Sequence, residues 1–232
     1  YSGIFYKRYI LGLWCLAEGV IYDMFNEDIH KVKTIKRRYE KYYVSIDYGT
    51  QNATVFLLWG LFNDKWYIVK EYYYSGRNTG IQKADIQYSR DLKKFLGDII
   101  PVRIIVDPSA ASFIKQLRDD GFKNILPANN DVLDGIRTVA SALSIGLFYV
   151  NECCQNTLKE FSSYVWDAKK GSKGIEEVIK ENDHAMDAIR YFVYTVLRFK
   201  VEEYDDSIYQ KGKGVVNKKA VDPYGRQGQN IF

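Results

Sequence analysis

Between residues 43 and 74 the chain carries three β-type stretches in immediate succession, and this run constrains the fold more than any other feature. They are Tyr43–Tyr48, Thr54–Phe62 and Trp66–Tyr74. Each is rich in β-branched and aromatic residues, which suit a pleated, half-buried surface. Asn63-Asp64, between the second and third stretches, has the composition of a tight hairpin turn. Val44, Ile46 and Tyr48 alternate with Ser45 and Asp47, so the first strand ends on an acid.

Beyond the meander, strands and helices alternate. A helix is expected near Ile81–Leu96, then a short buried strand Val102–Val106 broken by Pro108. Ala110–Asp120 and Val132–Leu143 read as helices. In the second, Val132, Ile136, Val139, Ala140 and Leu143 recur at helical spacing, with Asn130 or Asp131 as N-cap. Leu147–Val150 reads as a strand, Thr157–Val165 as a helix, 167–182 as a polar segment, and Asp183 to about Lys200 as the last helix. The fold class is α/β: a mixed central sheet, a three-strand meander then parallel strands, with helices on both faces. Residues 1–41 read as a helical lead-in and connector, with apolar Tyr9–Trp14, a turn over Glu18–Tyr22 and a basic stretch from Lys31 to Lys41. Residues 42–200 form the main domain, and 201–232 read as a flexible tail.

Composition narrows the class only mildly. A hydrophobic content of 47% allows a core, and a net charge of +4 is compatible with nucleic acid without requiring it. Cys15, Cys153 and Cys154 make a poor disulfide framework, and with only His30 and His184 no zinc spacing arises, which fits a reducing cytosol. No signal peptide and no apolar run of membrane-spanning length is found. The opening Tyr1 lacks an initiator Met, so a piece of a longer protein is expected.

The chemistry gathers on acids. Asp47 and Asp107 each end an apolar strand, and open α/β sheets bind ligands at the carboxyl ends of their strands. Two such carboxylates in one crevice repel unless one protonates or a cation binds, and hard oxygen ligands favour Mg²⁺ or Mn²⁺. The run Asp183-His184-Ala185-Met186-Asp187 puts Asp183, His184 and Asp187 on one face of a helical first turn. Each residue also has a plainer role: Asp107 as a turn former, Asp183 as an N-cap, His184 as a satisfied surface side chain. Their coincidence in one compact chain favours two-metal phosphodiester hydrolysis. Asp47 would bridge two Mg²⁺ or Mn²⁺ ions, Asp107 and Asp187 would each hold one side, and His184 would bind the second ion or orient the attacking water.

Taken together, Val44-Ser45-Ile46-Asp47-Tyr48-Gly49-Thr50, Ile105-Val106-Asp107-Pro108-Ser109, Asp131-Val132-Leu133-Asp134-Gly135-Ile136 and Asp183-His184-Ala185-Met186-Asp187-Ala188-Ile189-Arg190-Tyr191 resemble the ribonuclease-H-like nuclease domain of the large terminase subunit of tailed double-stranded DNA bacteriophages, the headful-packaging branch above all. The resemblance covers roughly residues 40–200. It implies a metal-dependent endonuclease that cuts concatemeric viral DNA during packaging, with Asp47, Asp107, Asp187 and His184 at its centre. It also implies double-stranded DNA, a small terminase subunit and a portal protein as partners, action in the host-cell cytoplasm, and no membrane. The stretch around Tyr9–Tyr22 resembles the join to an N-terminal packaging ATPase. The segment 167–182 resembles a hairpin bordering the active site, where Lys169, Lys170 and Lys173 would contact DNA; a solvated loop is the plainer reading. No G-x-x-x-x-G-K-[ST] phosphate loop occurs, so the ATPase lies outside this sequence.

Three other readings compete. An actin-like ATPase shares the Asp47-Tyr48-Gly49-Thr50 pattern but needs a second glycine-bearing phosphate loop, which Asp107-Pro108-Ser109 does not supply. A transposase or integrase shares the fold and ends its site in Glu, for which Glu160 and Glu181 are available. A non-enzymatic docking arm would tolerate loss of any one acid.

Overall fold

Asn63 and Asp64 both adopt left-handed backbone, at φ 48° and 58°. That geometry matches the twist of the strands it joins, so the hairpin closes tightly. The computed structural model describes residues 18–50, 52–173 and 175–204. Its strands are β1 (Lys31–Val32), β2 (Lys41–Asp47), β3 (Ala53–Phe62), β4 (Lys65–Ser75), β5 (Arg103–Val106), β6 (Ile125–Pro127) and β7 (Phe148–Asn151). Its helices are α1 (Glu27–His30), α2 (Gly76–Thr79), α3 (Asp85–Leu96), α4 (Ala111–Asp119), α5 (Val132–Ser144), α6 (Gln155–Ser163), α7 (Ala168–Gly171) and α8 (His184–Phe192). The strands form one sheet in the order β1-β7-β4-β3-β2-β5-β6. The β2–β3 and β3–β4 pairs are antiparallel, and all other pairs are parallel.

Side-chain parity divides the sheet into two faces. On one, Val44, Ile46, Phe56, Leu58, Ile104 and Val106 pack against Tyr88, Leu92 and Phe95 of α3 and Phe113, Ile114 and Leu117 of α4. On the other, Tyr43, Trp59 and Trp66 surround Phe192 of α8, whose ring stacks 4.1 Å from that of Trp59. Truncating a fully buried Phe such as this to Ala costs about 3–5 kcal/mol. Asp47 shares the parity of Tyr43 and Ser45, so it points to the α8 face. Asp107, one residue past Val106, does the same.

Several details depart from expectation for local reasons. The third helix begins at Asp85 rather than Ile81, where the Gln87 side chain accepts the Ala84 N–H at 2.8 Å. β6 is a strand of three residues, too short to leave a periodic signal. The polar segment after residue 166 contains α7, capped by Asp167, and then returns: Trp166 pairs with Val178, and Ile179 N–H donates to the Val165 carbonyl at 3.1 Å. After Phe192 the last helix widens into a π turn over Val193–Leu197, and α-helix resumes at Arg198. Lys31-Val32, within the expected connector, pairs in parallel with β7, and Val20 bridges Val165. Tyr9–Trp14, Cys15 and residues 205–232 lie outside the described residues. The chain divides into units Tyr1–Arg198 and Phe199–Phe232; in the second, residues 199–204 are described and are helical. No helix among the described residues is long and apolar enough to cross a membrane.

Candidate active site

β2 and β5 run parallel with Ile46 opposite Val106. The next residue on each strand is an acid. Asp47 and Asp107 therefore leave the sheet at the same level from strands about 4.8 Å apart. Asp107 is tied down on both carboxylate oxygens: Oδ1 accepts the Ser109 N–H at 2.8 Å, and Oδ2 accepts the Tyr191 hydroxyl at 2.6 Å. It is thus a turn former and a member of the cluster at once.

The third acid arrives on α8, which packs over β2, β3 and β5. Asp183 occupies the N-cap position of this helix but makes no capping hydrogen bond. Glu160 of α6 caps it instead. Its Oε2 accepts the N–H groups of Ala185 at 2.7 Å and Met186 at 3.3 Å, while its Oε1 accepts the Tyr73 hydroxyl at 2.8 Å. A carboxylate at a helix N-terminus satisfies donors that the helix itself leaves unpaired. With the first turn so fixed, His184 Nδ1 lies 2.9 Å from Asp47 Oδ2. Asp187 Oδ1 accepts from Arg190 Nε at 3.2 Å and from a terminal guanidinium nitrogen at 2.9 Å. Arg190 is buried and also donates to the carbonyl of Asn130 at 2.8 Å, which anchors α8 to the start of α5.

The electrostatics follow from burial. Removal from water pushes the Asp47 carboxyl up to about 6; the hydrogen bond from His184 opposes the rise, and the charges of Asp187 and Asp183 add to it. Burial alone would lower His184, but the hydrogen bond and charge of Asp47 outweigh it and raise the imidazole. Asp107 goes the other way: burial opposes, yet the Tyr191 and Ser109 hydrogen bonds hold it below the usual carboxylate range. Burial pushes Glu160 up to about 7 against the Tyr73, Ala185 and Met186 donors.

The donor set suits a hard divalent cation: oxygen ligands, crowded and desolvated carboxylates, and too few positive charges to neutralise them. The ammonium of Lys180 already stands as a cation between Asp183 Oδ2, at 3.3 Å, and Asp187 Oδ2, at 3.4 Å. Asp183 Oδ2 is buried and makes no hydrogen bond. Among the described residues, however, no three His, Cys, Asp or Glu side chains are gathered as a finished metal cage. The carboxylates face protein donors instead: Asp47 faces His184, Asp107 faces Tyr191, and Asp187 faces Arg190.

Asp47, Asp107, Asp183, His184 and Asp187 thus fall at one end of the sheet, linked through α8. The three lysines lie on and after α7. Lys170 pairs with Glu177, and Lys169 and Lys173 are exposed. Sequence reasoning did not single out Arg190, Tyr191, Glu160 or Lys180 as partners of the acids. The first two were findable, because they stand three and four residues after Asp187 and so share its helix face. Glu160 is 25 residues from its partner Ala185 and leaves no spacing signal.

Comparison with known proteins fits this geometry. Residues 47–195 match the family described as "Terminase RNAseH like domain". The large terminase of a thermophilic bacteriophage, solved in complex with ADP, is 58% identical with a TM-score of 0.82; the match covers 85% of this chain and 50% of that one. The large terminase subunit of Escherichia phage T5 is 29% identical over 196 residues, covering 79% of this chain and 43% of that protein. The chain therefore spans about half the length of these relatives or less. The nuclease domain of the bacteriophage SPP1 large terminase, solved with bound Mn, shares the fold at 18% identity and a TM-score of 0.53; the match covers 74% of this chain and 96% of that one. A mixed sheet of ribonuclease-H-like topology, acids at the ends of β2 and β5, and a match over residues 47–195 lead to one conclusion: this chain belongs to the terminase RNase-H-like domain family.

Proposed function

We propose that the chain is a divalent-metal-dependent DNA endonuclease that cuts concatemeric viral DNA during genome packaging. The observation that carries this reading is the level placement of Asp47 and Asp107 on neighbouring strands beneath the helix that bears Asp187. The Mn bound by the SPP1 nuclease domain supports it. Asp47, Asp107 and Asp187, with His184 and Asp183 beside them, would hold two Mg²⁺ or Mn²⁺ ions. Such ions lower the pKa of water and neutralise charge building on a phosphodiester. The chain's own groups do the positioning. Tyr191 and Ser109 fix both oxygens of Asp107, Arg190 fixes one oxygen of Asp187, and the Asp47 bond fixes the imidazole of His184. His184 Nε2 makes no hydrogen bond among the described residues, so it is left to orient an attacking water.

On the same reading, residues 1–41 connect to an ATPase, 42–200 form the nuclease and 201–232 a tail. Double-stranded DNA, a small terminase subunit and a portal protein are then the partners in the host cytoplasm, with Lys169, Lys170 and Lys173 touching DNA. The test is plasmid cleavage with Mn²⁺ or Mg²⁺. Asp47→Ala and Asp187→Ala should each abolish cutting, and His184→Ala should weaken it. Undiminished cutting by both aspartate variants would sink the assignment.

A further inference from the structure

Beside the carboxylates, on the side of β3 and β4, lies a polar cleft of about 210 Å³. Asn52, Arg77, Asn78, Lys180, Glu181 and His184 border it. Two of these belong to the candidate active site: His184 bonds Asp47, and Lys180 reaches Asp183 and Asp187. Arg77 does not. It is exposed, and it makes no ion pair with an acid among the described residues. Nor does it sit on a loose loop. α2 is pinned at both ends: Ser75 Oγ accepts the Asn78 N–H at 3.3 Å, Thr79 Oγ1 donates to the Ser75 carbonyl at 3.0 Å, and Gly80 closes the turn at φ 70°. Gly76 is packed so closely that an added Cβ would stand 3.3 Å from the Ile81 carbonyl oxygen. The guanidinium is therefore presented by a fixed turn.

We propose that this cleft binds a phosphate of the DNA strand next to the scissile one, gripped by Arg77 and Lys180. The nature of the strand rests on the nuclease reading above; the cleft's affinity for a phosphodiester rests on its own groups. An Arg fork and an ammonium supply charge-assisted donors, and Asn52 and Asn78 supply neutral ones. Glu181, the one acid in the lining, is exposed and outnumbered. Because Lys180 and His184 belong both to the cleft and to the carboxylate cluster, a phosphate held there sets the register of the backbone over Asp47. Lys180 can serve it because its two contacts are long ones at an exposed side chain.

The test is fluorescence anisotropy of a fluorescein-labelled duplex in Ca²⁺ buffer, with the whole chain, across a salt series. Arg77→Gln should weaken binding by about threefold to tenfold and reduce the slope of log K against log salt by about 1. Arg77→Gln with Lys180→Gln should reduce the slope by about 2, and Arg77→Lys should keep it. Lys123→Gln, an exposed cation at the N-terminal end of β6 and away from Asp107, should change neither quantity. Wild-type affinity and slope in both Arg77→Gln variants overturn the proposal, and so does an equal loss in Lys123→Gln. Plasmid cutting separates the two readings. A wild type that binds with these signatures yet never cuts with Mn²⁺ removes the nuclease reading alone. One that cuts while the variants bind normally removes the cleft alone.

Discussion

The side chains of Asp47 and His184 meet at 2.9 Å between Oδ2 and Nδ1, and this contact joins the last residue of β2 to the first residue of α8. It makes the candidate site a product of tertiary packing. Neither element fixes the pair alone: β2 aims Asp47 by strand parity, and Glu160 sets the first turn of the helix. The carboxylate is buried and opposed by neighbouring acids, while the imidazole is held towards its charged form.

The buried charge of Asp47 has a thermodynamic consequence. Its folded pKa, about 6, lies above the ordinary 3.8. Below 3.8 the group is protonated in both folded and unfolded chains and carries no penalty. As pH rises from 3.8 through about 6, the unfolded chain ionises first and the metal-free fold loses stability. Asp47→Asn removes the charge and keeps the shape. In EDTA it should melt above wild type at about pH 9, with the gap closing by about pH 4. Mn²⁺ at the higher pH should narrow the gap by stabilising the wild type. Melting curves with a gap independent of pH would remove the buried-charge account.

Tyr191 acts on the site through Asp107 alone among the hydrogen bonds it makes with the acids. Tyr191→Phe keeps the ring and removes the donor. One lost hydrogen bond to a charged group is worth about 1.5–3 kcal/mol, so cleavage should fall by about tenfold or more. Because the bond holds Asp107 below its usual range, the stability lost in Tyr191→Phe should be full at neutral pH and shrink as pH falls through the acid range in urea unfolding. A stability loss independent of pH in the variant would show that the hydroxyl does not tune Asp107.

Glu160 holds two N–H groups of α8 and the Tyr73 hydroxyl. Glu160→Ala strands all three and should cost about 2–4 kcal/mol in urea unfolding. Glu160→Gln retains an acceptor for Ala185 and removes a buried charge. The folded pKa of Glu160, about 7, lies above the ordinary 4.5, so the wild type loses stability as pH rises from 4.5 through about 7. The cost of Glu160→Gln should therefore be the smaller one, and it should shrink across that same window. Equal losses in the two variants at alkaline pH would contradict the cap assignment.

Legibility from sequence tracked the range of the forces involved. The meander was readable because alternation in Val44–Tyr48 and the Asn63-Asp64 turn are local signals, and the structure places these strands within a residue or two of the expected bounds. The start of the last helix was readable from its acids. Its π turn at Val193–Leu197 was not, because one extra residue in a helical turn leaves composition unchanged. Among the acids, Asp47 and Asp107 stood out because each follows an apolar run. Glu160, which fixes the first turn of α8, reaches the site from another segment with no spacing rule to announce it, whereas Lys180 stands only three residues before Asp183, one of its two partners. Glu160 is a case in point. The sequence offers it as the final acid of a transposase-like site, whereas its carboxylate is engaged by α8 and Tyr73.

Gly135, inside α5, gives the most discriminating substitution. Helix propensity alone favours Ala there by about 1 kcal/mol. Yet a Cβ at this position would stand 2.6 Å from Arg190 Cγ and 2.8 Å from Cδ, well inside van der Waals contact. Those atoms are the buried stem of the side chain, and its guanidinium is already held by Asp187 Oδ1 and the Asn130 carbonyl, so it has little room to yield. Overpacking costs about 1–3 kcal/mol, which outweighs the propensity gain. Gly135→Ala should therefore lower the melting temperature. Because the displaced group is the one that orients Asp187, it should also cut plasmid cleavage several-fold, although residue 135 touches no DNA on the proposed reading. A variant more stable than wild type, as propensity alone demands, would mean that Arg190 relaxes freely and that the α5–α8 contact does not position Asp187.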